Sequence, residues 1–152
     1  MNLLDNKIAI QWYLIPAIAI SILLLICAVS FAEEIDTTKA VIHHTDSGDV
    51  SAATIDQWHK ERGWNGIGYH FIIRTDGTIE EGRAITKRGA HARGRNNFVG
   101  IALCGREDFT KAQTDSLTKL LEQIGVQSIE RHHENCPGEG LDIEKIQIEI
   151  LK

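Results

Sequence analysis

The segment His132-His133-Glu134-Asn135-Cys136-Pro137-Gly138 gathers imidazole, carboxylate and thiol groups within seven residues. Imidazole nitrogen and thiolate sulfur are donors that suit a tetrahedral zinc ion, and a catalytic zinc keeps three protein ligands so that water can take the fourth position. Two such donors come from this segment, so a third must arrive from elsewhere. The chain has seven histidines, and the other adjacent pair, His43-His44, follows the apolar stretch Ala40-Val41-Ile42. Side chains alternate across a strand, so only one of the two can face a given site. Local spacing leaves that choice open. Plain surface histidines are the competing reading, and a closed structural zinc site with His44 or His133 as fourth ligand is another.

The elements that must position these groups are legible in outline. Ala40 to His43 is short, apolar and β-branched, as expected of a buried strand. Residues 51–62 carry Ile55 and Trp58 at helical spacing and stop at Gly63, with Trp58 expected to pack and His59 to be exposed. Residues 69–74, the Asp76-Gly77 turn and residues 78–82 read as a hairpin. A strand is expected from Phe98 to Cys104, where alternating apolar residues make Cys104 a buried, inert thiol. Residues 110–124 place Leu117, Leu120, Leu121 and Ile124 on one helical face, opened by Thr110 with Gln113 three residues on and closed by Gly125. The tail from Leu141 suits a helix capped by Asp142, although Ile146, Ile148 and Ile150 also alternate as in a strand; helix is the expectation. Strands interleaved with helices predict an α/β fold, a single domain with a central mixed β-sheet flanked by helices and preceded by an N-terminal apolar helix.

Composition narrows the setting. The chain has 152 residues, 43% hydrophobic and 24% charged, enough for one core. Trp12 to Ala32 is a run of twenty-one uncharged residues, long enough to span a bilayer, while Ser30-Phe31-Ala32 offers the small residues of a cleavage site. Residues 1–32 therefore read as a signal peptide or a membrane anchor, with residues 8–31 in the membrane if uncleaved. Residues 33–38 read as a linker and 39–152 as the domain. Cys27 is a poor lipidation site because bulky Ile26 precedes it. Loss of residues 1–32 removes Asp5 and Lys7 together, leaving the net charge at −5, and no basic surface for nucleic acid is expected. A monomer outside the cytoplasm is expected. Cys104 and Cys136 are too few for a disulfide framework; they could pair with each other, but Cys136 has the metal as an alternative use.

Six motifs carry a resemblance to a known family. Val41-Ile42-His43-His44-Thr45-Asp46, residues 58–64 (WHKERGW), 68–73 (GYHFII), 76–83 (DGTIEEGR), 89–96 (GAHARGRN) and 132–138 (HHENCPG) occur in that order. Over about residues 39–145 the chain resembles type 2 N-acetylmuramoyl-L-alanine amidases, a group that includes phage lysozymes that are amidases and the peptidoglycan recognition proteins. The resemblance implies zinc held by His43, His132 and Cys136, and Tyr69 beside the metal to orient water or polarise the amide. It also implies peptidoglycan as partner, with His91 and Asn96 lining the substrate groove. Alternation then turns His70 away from the site, as a structural residue. The implied reaction is hydrolysis of the amide between the muramic lactyl group and L-alanine, by water whose pKa the metal lowers.

One position departs from the family pattern. Many active members carry Lys or Thr two residues before the metal-binding cysteine, in a longer loop. Here three residues separate His132 from Cys136, and the position is Glu134. Glu134 is expected either as general base and acid or as a partner that orients a ligand such as His132. Without a substitute for the lost cation, a weakly active or purely peptidoglycan-binding module is the alternative function.

Overall fold

Ala40, Val41 and Ile42, all fully buried, form the centre of β1 (Asp36–His44) in a computed structural model that describes residues 34–152. The expected N-terminal helix, the signal peptide or anchor over residues 1–32, membrane contact through residues 8–31, and Cys27 lie outside the described residues. β1 starts earlier than its apolar stretch predicts, inside the expected linker at 33–38. The reason is pairing: Asp36 sits opposite Phe98, and Lys39 opposite Ser128, so neighbours on both sides extend this polar beginning.

The sheet has five strands in the order β3-β2-β4-β1-β5, with β2 (Phe71–Ile73), β3 (Ile79–Glu81), β4 (Phe98–Leu103) and β5 (Ser128–Arg131). β1 runs parallel to β4 and β5, and β2 parallel to β4; only β2 and β3 are antiparallel, joined through the turn at Gly77, whose φ of 87° suits glycine. The expected mixed sheet is therefore present. Tyr69 and His70 lie just ahead of β2 rather than inside it. They still follow its direction, because His70 N donates to Gly100 O and Arg83 N donates to Tyr69 O.

Among the described residues three helices cover the sheet: α1 (Ala52–Glu61), α2 (Lys111–Ile124) and α3 (Ile143–Ile150). Ser51 caps α1, and Glu80 of β3 also accepts from Ala52 N at 2.6 Å, tying that helix start to the hairpin. α2 has the predicted capping box between Thr110 and Gln113, and ends at Gly125 in the left-handed conformation. Asp142 caps α3; Ile143 and Ile146 are buried while Ile148 is exposed, a helical and not a strand pattern. Among the described residues no helix is long and apolar enough to cross a membrane.

Alternation along β1 separates two apolar clusters. Ala40 and Ile42 join Ile101, Leu103, Leu117, Leu121, Ile143 and others beneath α2 and α3. On the opposite face Ile72, Ala102 and Cys104 pack with Ala52 and Ile55 of α1, with Trp58 and Tyr69 at the border. His43 shares this second face, one residue beyond Ile42.

Candidate metal centre

His43 is the penultimate residue of β1, which lies between β4 and β5, and strand register brings its partners to it. Ile42 pairs with Arg131, so the next residues, His43 and His132, are neighbours on the same face. His132 N donates to Ile42 O at 3.1 Å, continuing the pairing past β5, and the two imidazole centroids are 4.5 Å apart. The chain then turns tightly, with His133 and Cys136 exchanging backbone hydrogen bonds, and returns the Cys136 thiol to the end of β1. There Cys136 Sγ accepts from His44 N at 3.5 Å. One ligand atom each from His43, His132 and Cys136 lies within 4.8 Å of the others, a group that could hold a metal ion.

The competitors point elsewhere. His44 Nδ1 pairs with Arg106 O at 3.0 Å, and His133 is exposed with its Nδ1 accepting from Asn135 N. A fourth protein ligand is therefore not gathered among the described residues. Cys104 and Cys136 are both free, so the disulfide alternative is not formed; Cys104 Sγ donates to Val50 O.

Burial sets the protonation of the group. Desolvation, then the neighbouring His91 and His132, pulls His43 down to about 2. Burial likewise lowers His132, helped by His133 and Arg95, so both imidazoles keep a lone pair at neutral pH. Burial pushes the Cys136 thiol up, against the hydrogen bond from His44 N. Tyr69 lies 5.1 Å from His43 between ring centroids, and burial with the nearby Cys136 raises its hydroxyl to about 12. It therefore stays protonated at neutral pH.

Two depressions flank these rings. One of about 510 Å³ is lined by Thr45, Asp46, Trp58, His59, Arg62 and Tyr69, among others. Another of about 310 Å³ is lined by Trp64, His91, Arg93 and Asn96 with neighbouring backbone. The Tyr69 and His91 rings, one on each, are 6.3 Å apart with His43 at 5.1 Å from both.

Residues 34–139 match the family model for N-acetylmuramoyl-L-alanine amidase. The chain belongs to that family. Among its relatives, the endolysin of Klebsiella phage KP32 is 38% identical over 125 residues, covering 72% of this chain and 83% of the endolysin. The solved N-acetylmuramoyl-L-alanine amidase LysC from Clostridium intestinale URNW superposes with a TM-score of 0.69 at 36% identity, covering 77% of this chain and 87% of that one. Drosophila PGRP-LB superposes at 0.63 with 29% identity, over 72% of this chain and 79% of that one.

Within this amidase-family domain, several side chains sit where sequence did not put them. Glu134, expected beside a ligand, is exposed and lines a separate depression with Arg106, Glu107 and Glu139; it makes no hydrogen bond or ion pair among the described residues. The segment is too short to fold Glu134 back under His132. The group that holds this segment is Arg95, which donates to Glu130 Oε2, Arg131 O and His132 O. His59, expected exposed, is 5% exposed: its Nδ1 accepts from Gly68 N, and its ring lies 4.6 Å from Trp64 and 5.6 Å from Tyr69. The spacing Ala52, Ile55, His59 places it on the buried face of α1, a signal present in the sequence. His70 is buried as expected of a structural residue, accepting from Gly100 N and pairing with Lys87 O. Asn96 borders the smaller depression, as the groove expectation has it, while its Oδ1 accepts from His91 N and Ala92 N.

Proposed function

We propose that this chain hydrolyses the amide bond between N-acetylmuramic acid and L-alanine in peptidoglycan, with a zinc ion held by His43, His132 and Cys136. The observation that carries this reading is the convergence of those three donors beside a protonated Tyr69, whose ring borders a depression. The donor set fits zinc. Two neutral imidazoles and a thiol supply nitrogen and sulfur, and a divalent cation offsets the burial that otherwise keeps the thiol protonated. With three protein donors gathered, a tetrahedral ion would keep a fourth position for substrate or water. Zinc, when bound, supplies a Lewis acid and makes water ionise near neutral pH.

The chain's own residues supply the rest. Tyr69 presents a hydroxyl that stays protonated, and a donor aimed at the developing oxyanion contributes about 3 kcal/mol of barrier lowering in comparable sites. The depressions on either side of Tyr69 and His43 suit a substrate that extends both ways from its scissile bond, glycan on one side and peptide on the other. Peptidoglycan lies outside the cytoplasmic membrane, so the domain acts there, as a monomer. The test is turbidity of a peptidoglycan suspension with and without chelation, followed by muropeptide analysis. New free L-alanine amines that disappear on chelation are expected; their absence defeats the assignment.

A second reading, peptidoglycan binding with little or no cleavage, is favoured by Glu134 at the position where the family pattern has Lys or Thr. Retention on cell walls without new amines, by a protein that contains zinc, would establish it.

A further inference from the structure

We infer that His91 is a positioning residue that fixes the tautomer and rotation of His43, leaving Nδ1 of His43 as the metal-binding atom. Two hydrogen bonds in series carry this. His91 Nε2 lies 3.2 Å from Phe98 O, and His91 Nδ1 lies 3.0 Å from His43 Nε2. A carbonyl oxygen only accepts, so His91 Nε2 bears its proton and the neutral ring has a bare Nδ1. That nitrogen can only accept, so His43 Nε2 donates and His43 Nδ1 keeps its lone pair. The direction of the whole series is dictated by one backbone carbonyl. With both ring nitrogens engaged, His91 has no donor or acceptor left for substrate, although its edge borders the groove.

The seat of His91 is built for this. A Cβ at Gly100 would come within 2.3 Å of its Cδ2, and one at Gly89 within 2.4 Å, so the ring occupies a slot that exists because both residues are glycine. Asn96 pins the backbone at His91 and Ala92 from below. His70, itself fixed at both nitrogens, stands edge-on at 5.8 Å. The ring can neither flip nor slide without losing these contacts.

The metal half of this inference rests on the zinc reading above; the tautomer half does not. The experiment therefore reads both on the full-length chain in detergent. Long-range ¹H–¹⁵N spectra of the zinc-free protein are expected to show His43 protonated at Nε2 and bare at Nδ1. Zinc competition titrations are expected to show about a 10- to 100-fold loss of affinity in His91→Phe, and recovery of most of it in His91→Asn, whose carbonyl can accept from His43. A wild-type His43 protonated at Nδ1 overturns the proposal, as does a folded His91→Phe with unchanged His43 tautomer and zinc affinity. Should His91→Phe fail to fold, the wild-type tautomer and His91→Asn decide. A wild-type protein with the expected tautomer that takes up no zinc supports the relay and sinks the metal reading instead.

Discussion

Replacing Arg95 by methionine keeps the aliphatic stem and removes the donors that grip the strand end carrying His132. The lost bonds run to Arg131 O at 2.9 Å, to His132 O, and to Glu130 Oε2 at 3.0 Å. A hydrogen bond from a charged donor contributes about 1.5–3 kcal/mol, but water can replace part of the loss at a residue whose side chain is 29% exposed. The Glu130 pair is more exposed on the carboxylate side and adds at most a few tenths. A net cost of about 2 kcal/mol follows. At roughly 2.1 cal/mol/K per residue of unfolding entropy, a domain of about 120 residues loses about 8 °C in Tm. Thermal unfolding of the zinc-free protein measures this without the metal's own stabilisation. The same variant should bind zinc several-fold more weakly, because His132 hangs from the released segment. A Tm change under about 2 °C together with wild-type zinc affinity would refute the reasoning.

Cys136→Ser should reduce bound zinc to near background in metal analysis of dialysed protein, since a hydroxyl does not replace a thiolate; equal zinc in both proteins removes Cys136 from the site. Tyr69→Phe should lower kcat by about 10²-fold with zinc content unchanged, and a drop in KM-controlled rates alone would make Tyr69 a binding residue. Glu134→Gln should change wall cleavage by less than about twofold, since the carboxylate touches nothing at the site; a large loss would show that it swings inward with substrate. The pH dependence has a definite sign. His43 and His91 are depressed by burial to about 2 and about 4, so the unfolded chain takes up protons below about 6.5 while the folded one does not. Stability of the zinc-free protein is therefore full above about pH 6.5 and falls as pH drops towards 4, where the His91 share levels off and the His43 share continues down. Each group contributes a slope of up to about 1.4 kcal/mol per pH unit, measurable by urea unfolding at pH 7, 6 and 5; a flat profile contradicts the burial argument.

The parts of the fold legible in the sequence are those whose own side chains announce them. The α2 capping box, the Asp76-Gly77 hairpin and the Val99-Ile101-Leu103 alternation need no knowledge of neighbours. β5 was not foreseen because Ser128-Ile129-Glu130-Arg131 offers one apolar residue; its extended form comes from β1 alongside. The first half of β1 was missed for the same reason. At the site, residue types and spacing plus the family resemblance name His43, His132 and Cys136, the three side chains that the fold brings together. Arg95 left no such signal, since two of its three acceptors are backbone carbonyls whose position is fixed only by folding. His91 borders a depression, as the groove expectation has it, while its hydrogen bonds to Phe98 O and His43 come only from the fold, because sequence reveals that an imidazole is present but not what its nitrogens face.

The pairing of β1 directly with β5 joins the first and last strands of the domain. His43 leaves the ribosome long before His132 and Cys136, so the half-built chain lacks two of the three donors that converge at the end of β1. With zinc as the proposed ion, its capture would wait for the last strand to dock, and the bound ion would in turn rivet that edge to β1. On the zinc reading proposed above, metal loading would act as a completion check, and chelation should first loosen the carboxyl-terminal edge strand, leaving the Phe71–Glu81 hairpin intact.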